Sequence, residues 1–162
     1  HEFKYDLAIL GCPIKKRNIH QVVQFFNTSV FLIKNFTTNW DYKIQLCVDD
    51  SRATKRAVIF GAKIASHYKV DVKILTISKT NLFKSGYRNA NRWAQKYLKR
   101  TLINYKSILI SGEPIEIIVN EASNNHIIIM GKAKGSEFFK YIRGSKPISV
   151  AQKANTSVLL IN

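Results

Sequence analysis

The stretch Ile127-Ile-Ile-Met-Gly-Lys-Ala-Lys-Gly-Ser-Glu-Phe-Phe-Lys-Tyr-Ile-Arg-Gly-Ser145 decides how the rest of the chain is read. It opens with an apolar run, Ile127 to Met130, of the kind that forms a strand buried on both faces. Gly131 ends the run. Without a Cβ, it permits a sharp turn and lets the backbone approach a ligand. A basic, polar loop follows and ends at Gly144-Ser145, and the apolar spacing beyond it suits a helix. A strand, a glycine-bounded loop and a helix N-terminus together make an anion-binding arrangement, because free backbone N–H groups and the helix dipole converge there.

The end of the chain repeats its beginning. Val22-Val-Gln-Phe-Phe-Asn-Thr-Ser-Val-Phe-Leu-Ile33 and Val150-Ala-Gln-Lys-Ala-Asn-Thr-Ser-Val-Leu-Leu-Ile161 agree at eight of twelve positions. An apolar run ending in glycine precedes each copy, at Gly11 and at Gly131. Repetition of this quality is hard to obtain by chance. The first copy has a shorter loop and lacks Gly-Ser. Tyr5 to Leu10 reads as a strand, Ile19 to Phe26 as a short helix that Asn18 can cap, and Thr28 to Ile33 as a β-branched, aromatic strand.

Beyond a polar connector, strands and helices alternate. Tyr42 to Val48 is a strand, and Asp50 or Ser51 can cap the helix that runs to about His67, with Ala53, Ala57, Phe60 and Ile64 on one face. Val70 to Ile77 is the next strand. From Tyr87 to about Tyr105 the spacing is helical, placing Ala90, Trp93, Ala94, Tyr97, Leu98 and Leu102 near one face and a basic stripe on the other. Lys106 to Ile110 is a strand. Pro114 opens a helix at the position where its missing N–H costs least. His126 begins the strand into the glycine loop, Val150 to Ala154 completes the last helix, and Val158 to Ile161 is the last strand. Such alternation predicts an α/β fold with a parallel sheet covered on both faces.

Two motifs resemble the universal stress protein family. Its ATP-binding members carry Gly, two residues, Gly, nine residues, then Gly-Ser. Gly131, Gly144 and Ser145 fit, Lys134 stands at the second glycine position, and Gly135 falls one place late. The family also opens with Val-Asp-Gly-Ser, which Val48-Asp49-Asp50-Ser51 resembles with Asp50 in place of glycine. The resemblance covers residues 42–162 and implies a five-stranded parallel sheet of order 3-2-1-4-5. Residues 1–35 then look like the last strand–helix–strand of a preceding, degenerate copy, with 36–41 as linker. The resemblance implies an adenine nucleotide, ATP or another, as ligand. The nucleotide-binding positions would be Val48, Asp49, Ile77, Met130, Gly131, Lys132, Lys134, Gly144, Ser145 and Lys146. On residue type alone, Asp49 reads first as a helix-capping carboxylate.

Composition narrows the function. The net charge of +16 in 162 residues favours anionic partners: nucleotide, nucleic acid or an acidic membrane surface. Cys12 and Cys47 sit beside apolar runs and form neither a disulfide scaffold nor a metal site. A reducing, cytoplasmic setting is expected, with no signal peptide and no apolar run long enough to span a bilayer. His1, His20, His67 and His126 are scattered, so no metal is expected. Adjacent Asp49 and Asp50 point to opposite sides of an extended strand and make no evident acid–base pair. Catalysis is therefore not expected, although slow ATP hydrolysis is left open.

Three functions stay open: a nucleotide-binding regulatory module, a non-binding dimerisation or regulatory domain such as the cytosolic tail of an ion or solute transporter, and a nucleic-acid binder, which is the least favoured. Family members commonly pair antiparallel through their last strand. The repeat predicts that Val30 to Ile33 makes this contact within the chain, against Val158 to Ile161, extending the sheet to seven strands.

Overall fold

The apolar run at 127–130 becomes a central strand because both its faces are covered. In a computed structural model, residues 6–11, 19, 23, 26, 28–34, 41–80, 84–132 and 146–162 are described. They form β1 (Leu7–Gly11), β2 (Ser29–Ile33), β3 (Lys43–Cys47), α1 (Arg52–Tyr68), β4 (Val72–Ser78), α2 (Ser85–Arg100), β5 (Tyr105–Ser111), α3 (Pro114–Glu121), β6 (His126–Gly131), α4 (Lys146–Lys153) and β7 (Val158–Ile161). Ile19 and Val23 are helical as well.

One sheet contains all seven strands in the order β1-β2-β7-β6-β3-β4-β5. Counted from β3, the last five run 3-2-1-4-5, as the family resemblance implied. Every pair is parallel except β2 with β7. In that pair Phe31 opposes Leu159, Val30 opposes Leu160, and Leu32 opposes Val158. In the sequence repeat Phe31 corresponds to Leu159, so the pairing is two-fold symmetric about equivalent residues. Side chains repeat the symmetry. The Lys34 N–H donates to Ser157 Oγ (3.0 Å) and the Asn162 N–H donates to Ser29 Oγ (3.2 Å). Ser29 and Lys34 are the repeat equivalents of Ser157 and Asn162. The expected antiparallel contact of Val30–Ile33 with Val158–Ile161 is present within the chain.

Each face of the sheet packs its own core. Under α1 and α2 lie Ile44, Leu46, Ile74, Ile129 and Leu159, packed by Ala57, Val58, Ala94 and Leu98. Under α3 and α4 lie Leu75, Ile128, Val158 and Leu160, joined by Ile19, Val23, Val30 and Leu32. Residues of the N-terminal segment thus belong to the core rather than lying on it. At Gly61 a Cβ would stand 2.5 Å from Leu46 Cδ2, so α1 lies close on the sheet.

One expectation fails. The α2 helix stops at Arg100, and Leu102 is not on its apolar face but is 93% exposed, with φ of 55°. The Ile103 N–H bonds to the Leu98 carbonyl and Ile103 is buried, so the chain turns left-handed at Leu102 to place the next residue in the core. The helical spacing placed Leu102 on the apolar face because it carries no mark of that turn.

Candidate functional site

Helices follow β3 and β6 at their carboxyl ends, and β3 lies between β4 and β6. The connections from β3 and from β6 leave toward opposite faces, since α1 and α4 cover different cores. A crevice at such a reversal is the usual ligand position in open parallel sheets. The β3–β6 ladder registers Leu46 with Ile129, and two positions further along lie Val48 and Gly131. Asp49 follows at once. The sequence-predicted residues Val48, Asp49, Ile77, Met130, Gly131 and Lys132 all stand at this end of the sheet. Val48, Ile77 and Met130 are buried and pack into the two cores. Lys146 is exposed in the first turn of α4. Lys134, Gly144 and Ser145 lie outside the described residues.

Asp49 serves its own turn. The Thr54 hydroxyl donates to Asp49 Oδ1 (2.5 Å) and the Ser51 N–H donates to the same oxygen (3.0 Å). The Asp49 N–H donates in return to Thr54 Oγ1 (3.2 Å). Ser51 holds the N-cap position of α1 without a side-chain capping bond of its own, so the carboxylate two residues earlier satisfies the orphan N–H. Sequence reading offered Asp49, Asp50 or Ser51 as a cap; the geometry gives that work to Asp49, with the buried Thr54.

Gly131 is where α1 meets β6. A Cβ there would lie 2.5 Å from the Ala53 carbonyl carbon and 2.7 Å from its oxygen. The missing side chain lets the first turn of α1 rest on the strand end. Next in line, Lys132 is buried, and its ammonium donates to the carbonyls of Val23 (3.3 Å), Phe26 (2.9 Å) and Thr28 (3.1 Å). Burial holds its pKa below the ordinary lysine range. The charge that sequence reading assigned to a nucleotide faces the N-terminal segment instead. Lys34 makes the reciprocal contact, its ammonium donating to the carbonyls of Ala151 (2.5 Å) and Ala154 (2.8 Å) at the end of α4.

Residues that sequence reading missed lie beside these positions. Arg56 Nη2 donates to the Lys132 carbonyl at 3.4 Å, bringing a cation to the start of the loop. An open cleft of about 350 Å³ lies beside Asp49 and Asp50, between the N-terminal turns of α1 and α2. Trp93 forms part of its wall, with the Lys55 ammonium 5.7 Å from its ring centre. Gly86 fits against Asp50, where a Cβ would stand 3.0 Å from the aspartate side chain. Burial, then Asp50 and Asp49, raise the Tyr87 pKa nearby. In the sequence the signal for this approach is a glycine at the second position of α2. Among the described residues, no group of histidine, cysteine and carboxylate side chains is placed to hold a metal ion. The Cys47 thiol is buried and its pKa pushed far up by burial, then by Asp49, so it is a core side chain and not a nucleophile.

The model of the universal stress protein family matches residues 42–162. The chain belongs to that family. Solved structures share its fold. A universal stress protein from Archaeoglobus fulgidus DSM 4304 is 18% identical with a TM-score of 0.78, over 98% of this chain and 61% of its own. The present chain therefore spans less than two thirds of that protein. A universal stress protein from Archaeoglobus fulgidus solved in complex with dAMP is 22% identical (TM-score 0.59, 75% of this chain, 98% of that one). Another universal stress protein, solved in complex with cAMP, is 21% identical (TM-score 0.63, 75% and 96%). No curated protein matches the chain. No described helix is long and apolar enough to cross a membrane.

Proposed function

We propose that this chain is a non-catalytic regulatory domain that binds an adenine nucleotide or a related anion weakly, through a modified loop. The observation that carries the reading is the position of Asp49 and Gly131 at neighbouring carboxyl ends in the crevice where the sheet order reverses. Two relatives of the same fold were solved with cAMP and dAMP, which supports an adenine nucleotide as the ligand class. The base would lie against Val48, Asp49, Ile77 and Met130. The phosphates would meet the loop at Lys134, Gly144 and Ser145, with Lys146 and Arg56 as cations. Lys132 contributes its backbone only, since its ammonium is committed elsewhere.

Binding is weak in this reading for three reasons. Lys134 replaces a glycine and brings a Cβ where backbone would approach phosphate. The carboxylate of Asp49 already serves Thr54 and Ser51. The first turn of α1 rests on Gly131. Equilibrium titration with ATP, AMP and inorganic phosphate tests this. Binding of ATP and AMP but not phosphate supports it, and no binding by any of them rejects it.

A second reading follows from the β2–β7 contact: a domain without nucleotide that acts through association, in a cytoplasmic regulatory tail of a transporter. The two-fold symmetric register and the shared sequence of the two halves support reading residues 1–35 as part of a second, degenerate copy in a tandem protein. Coverage of 98% of this chain by the longer Archaeoglobus protein supports the same arrangement.

A further inference from the structure

The described helices on the two faces of the sheet differ in charge. On one face α1 and α2 carry four and five Lys or Arg residues, and neither contains an Asp or Glu. On the other, α3 has two glutamates and α4 two lysines, so the described helices there balance. An ordinary wet helix face mixes signs. Cations in a last helical turn complement the dipole, which accounts for Lys99 and Arg100 but not for two helices without a carboxylate.

The ends of these helices are unusual in a second respect. A left-handed residue that is not glycine follows each: Lys69 at φ 53° caps α1, and Leu102 at φ 55° comes one residue after the Thr101 cap of α2. The two turns are neighbours, since the Val72 N–H bonds to the Asn104 carbonyl and Val72 registers with Tyr105. Glycine is the usual residue at such a turn because L side chains are disfavoured there. Leu102 nonetheless projects a side chain that is 93% exposed, and Tyr68 beside the other turn is 58% exposed. Among the described residues, the carboxylates at this end of the sheet are Asp41 and Asp71, both exposed, and Glu121, which is paired with Lys73 at 3.3 Å.

We propose that the C-terminal edge of the α1–α2 layer docks on an anionic lipid surface, with Leu102 and Tyr68 entering the headgroup region and the exposed Lys69, Lys99 and Arg100 facing the lipid charge. Phosphate contacts alone, as on a nucleic-acid duplex, give no use to an exposed leucine in a disfavoured backbone conformation. A lipid interface uses both the leucine and the cations. The cleft beside Asp49 lies at the opposite end of α1 and α2, so a docked domain keeps it open to solvent.

Co-sedimentation of the 162-residue chain with vesicles tests this. Phosphatidylcholine vesicles should leave it in solution, and vesicles that also contain phosphatidylserine should bind it, less so as salt is raised. Leu102→Gly should weaken binding about tenfold, from the loss of buried CH₂ groups. Its melting temperature should not fall, because glycine suits the turn. The pair Lys99→Glu with Arg100→Glu should weaken binding more than about tenfold. Equal binding to both vesicle types, or none, overturns the proposal. So does unchanged binding by Leu102→Gly, and so does preferential binding of duplex DNA that is indifferent to Leu102.

Discussion

Gly131 shows how one residue can be read correctly as a requirement and incompletely as to cause. Sequence reading gave it a ligand approach; the structure adds the backbone of Ala53, 2.5 Å from where its Cβ would be. Backbone cannot yield as a flexible side chain does. Gly131→Ala should lower stability by about 1–3 kcal/mol, from overpacking, measured by urea unfolding. A smaller loss would mean that α1 can lift from β6. Lys132 was legible as a cation after a glycine, but its partners lie more than a hundred residues away in the chain, and no local pattern encodes them. Lys132→Met should cost about 1–3 kcal/mol by leaving buried carbonyls unpaired. His126 is tied into the fold: the Ser123 N–H donates to its Nδ1 at 3.1 Å. Burial, then the charge of Lys73, holds its pKa below the usual 6.5. The unfolded chain therefore takes up protons on this residue more readily. The stability due to neutral His126 is present above about pH 6.5 and is lost as pH falls through the folded pKa. Between neutral pH and about pH 5, His126→Gln should flatten the decline in urea midpoint. An unchanged slope would assign that decline to other groups.

At the scale of elements, strands were easy to read and helix ends were not. A strand buried on both faces announces itself as a β-branched run, and the predicted strands lie within two residues of those observed. The stop of α2 depends on a backbone turn at Leu102 that favours no particular side chain, so the apolar spacing ran through it. Strand order came from family resemblance and not from periodicity. The β2–β7 contact came from the repeat, because equivalent residues across a two-fold pair must meet near its centre, as Phe31 and Leu159 do. That contact covers the edge of β7, whose four residues are all buried. Removing residues 1–40 should uncover this edge and let two copies of 41–162 pair through β7, with Leu159 opposite Leu159. Light scattering during size exclusion should then show a dimer that dissociates with Leu159→Lys. A truncated chain that stays monomeric and folded would show that β7 tolerates exposure.

For the whole molecule, charge and site architecture support the proposed function. The crevice was legible because Asp49 and Gly131 belong to motifs at strand ends that the fold makes neighbours. The cleft wall of Trp93, Lys55 and Gly86 was not, because these residues converge only when α1 and α2 pack side by side. Asp49→Ala should weaken nucleotide binding more than Asp50→Ala does; equal losses would indicate general electrostatics. The central claim is that the loop departing from the family pattern at Lys134 makes this an adenine-nucleotide site of reduced affinity. Calorimetric titration of the chain and of Lys134→Gly with ATP at physiological salt tests it most directly. The account predicts measurable binding weaker than submicromolar for the chain and tighter binding for Lys134→Gly. Submicromolar affinity of the unaltered chain, or a Lys134→Gly variant that binds no better, would contradict it.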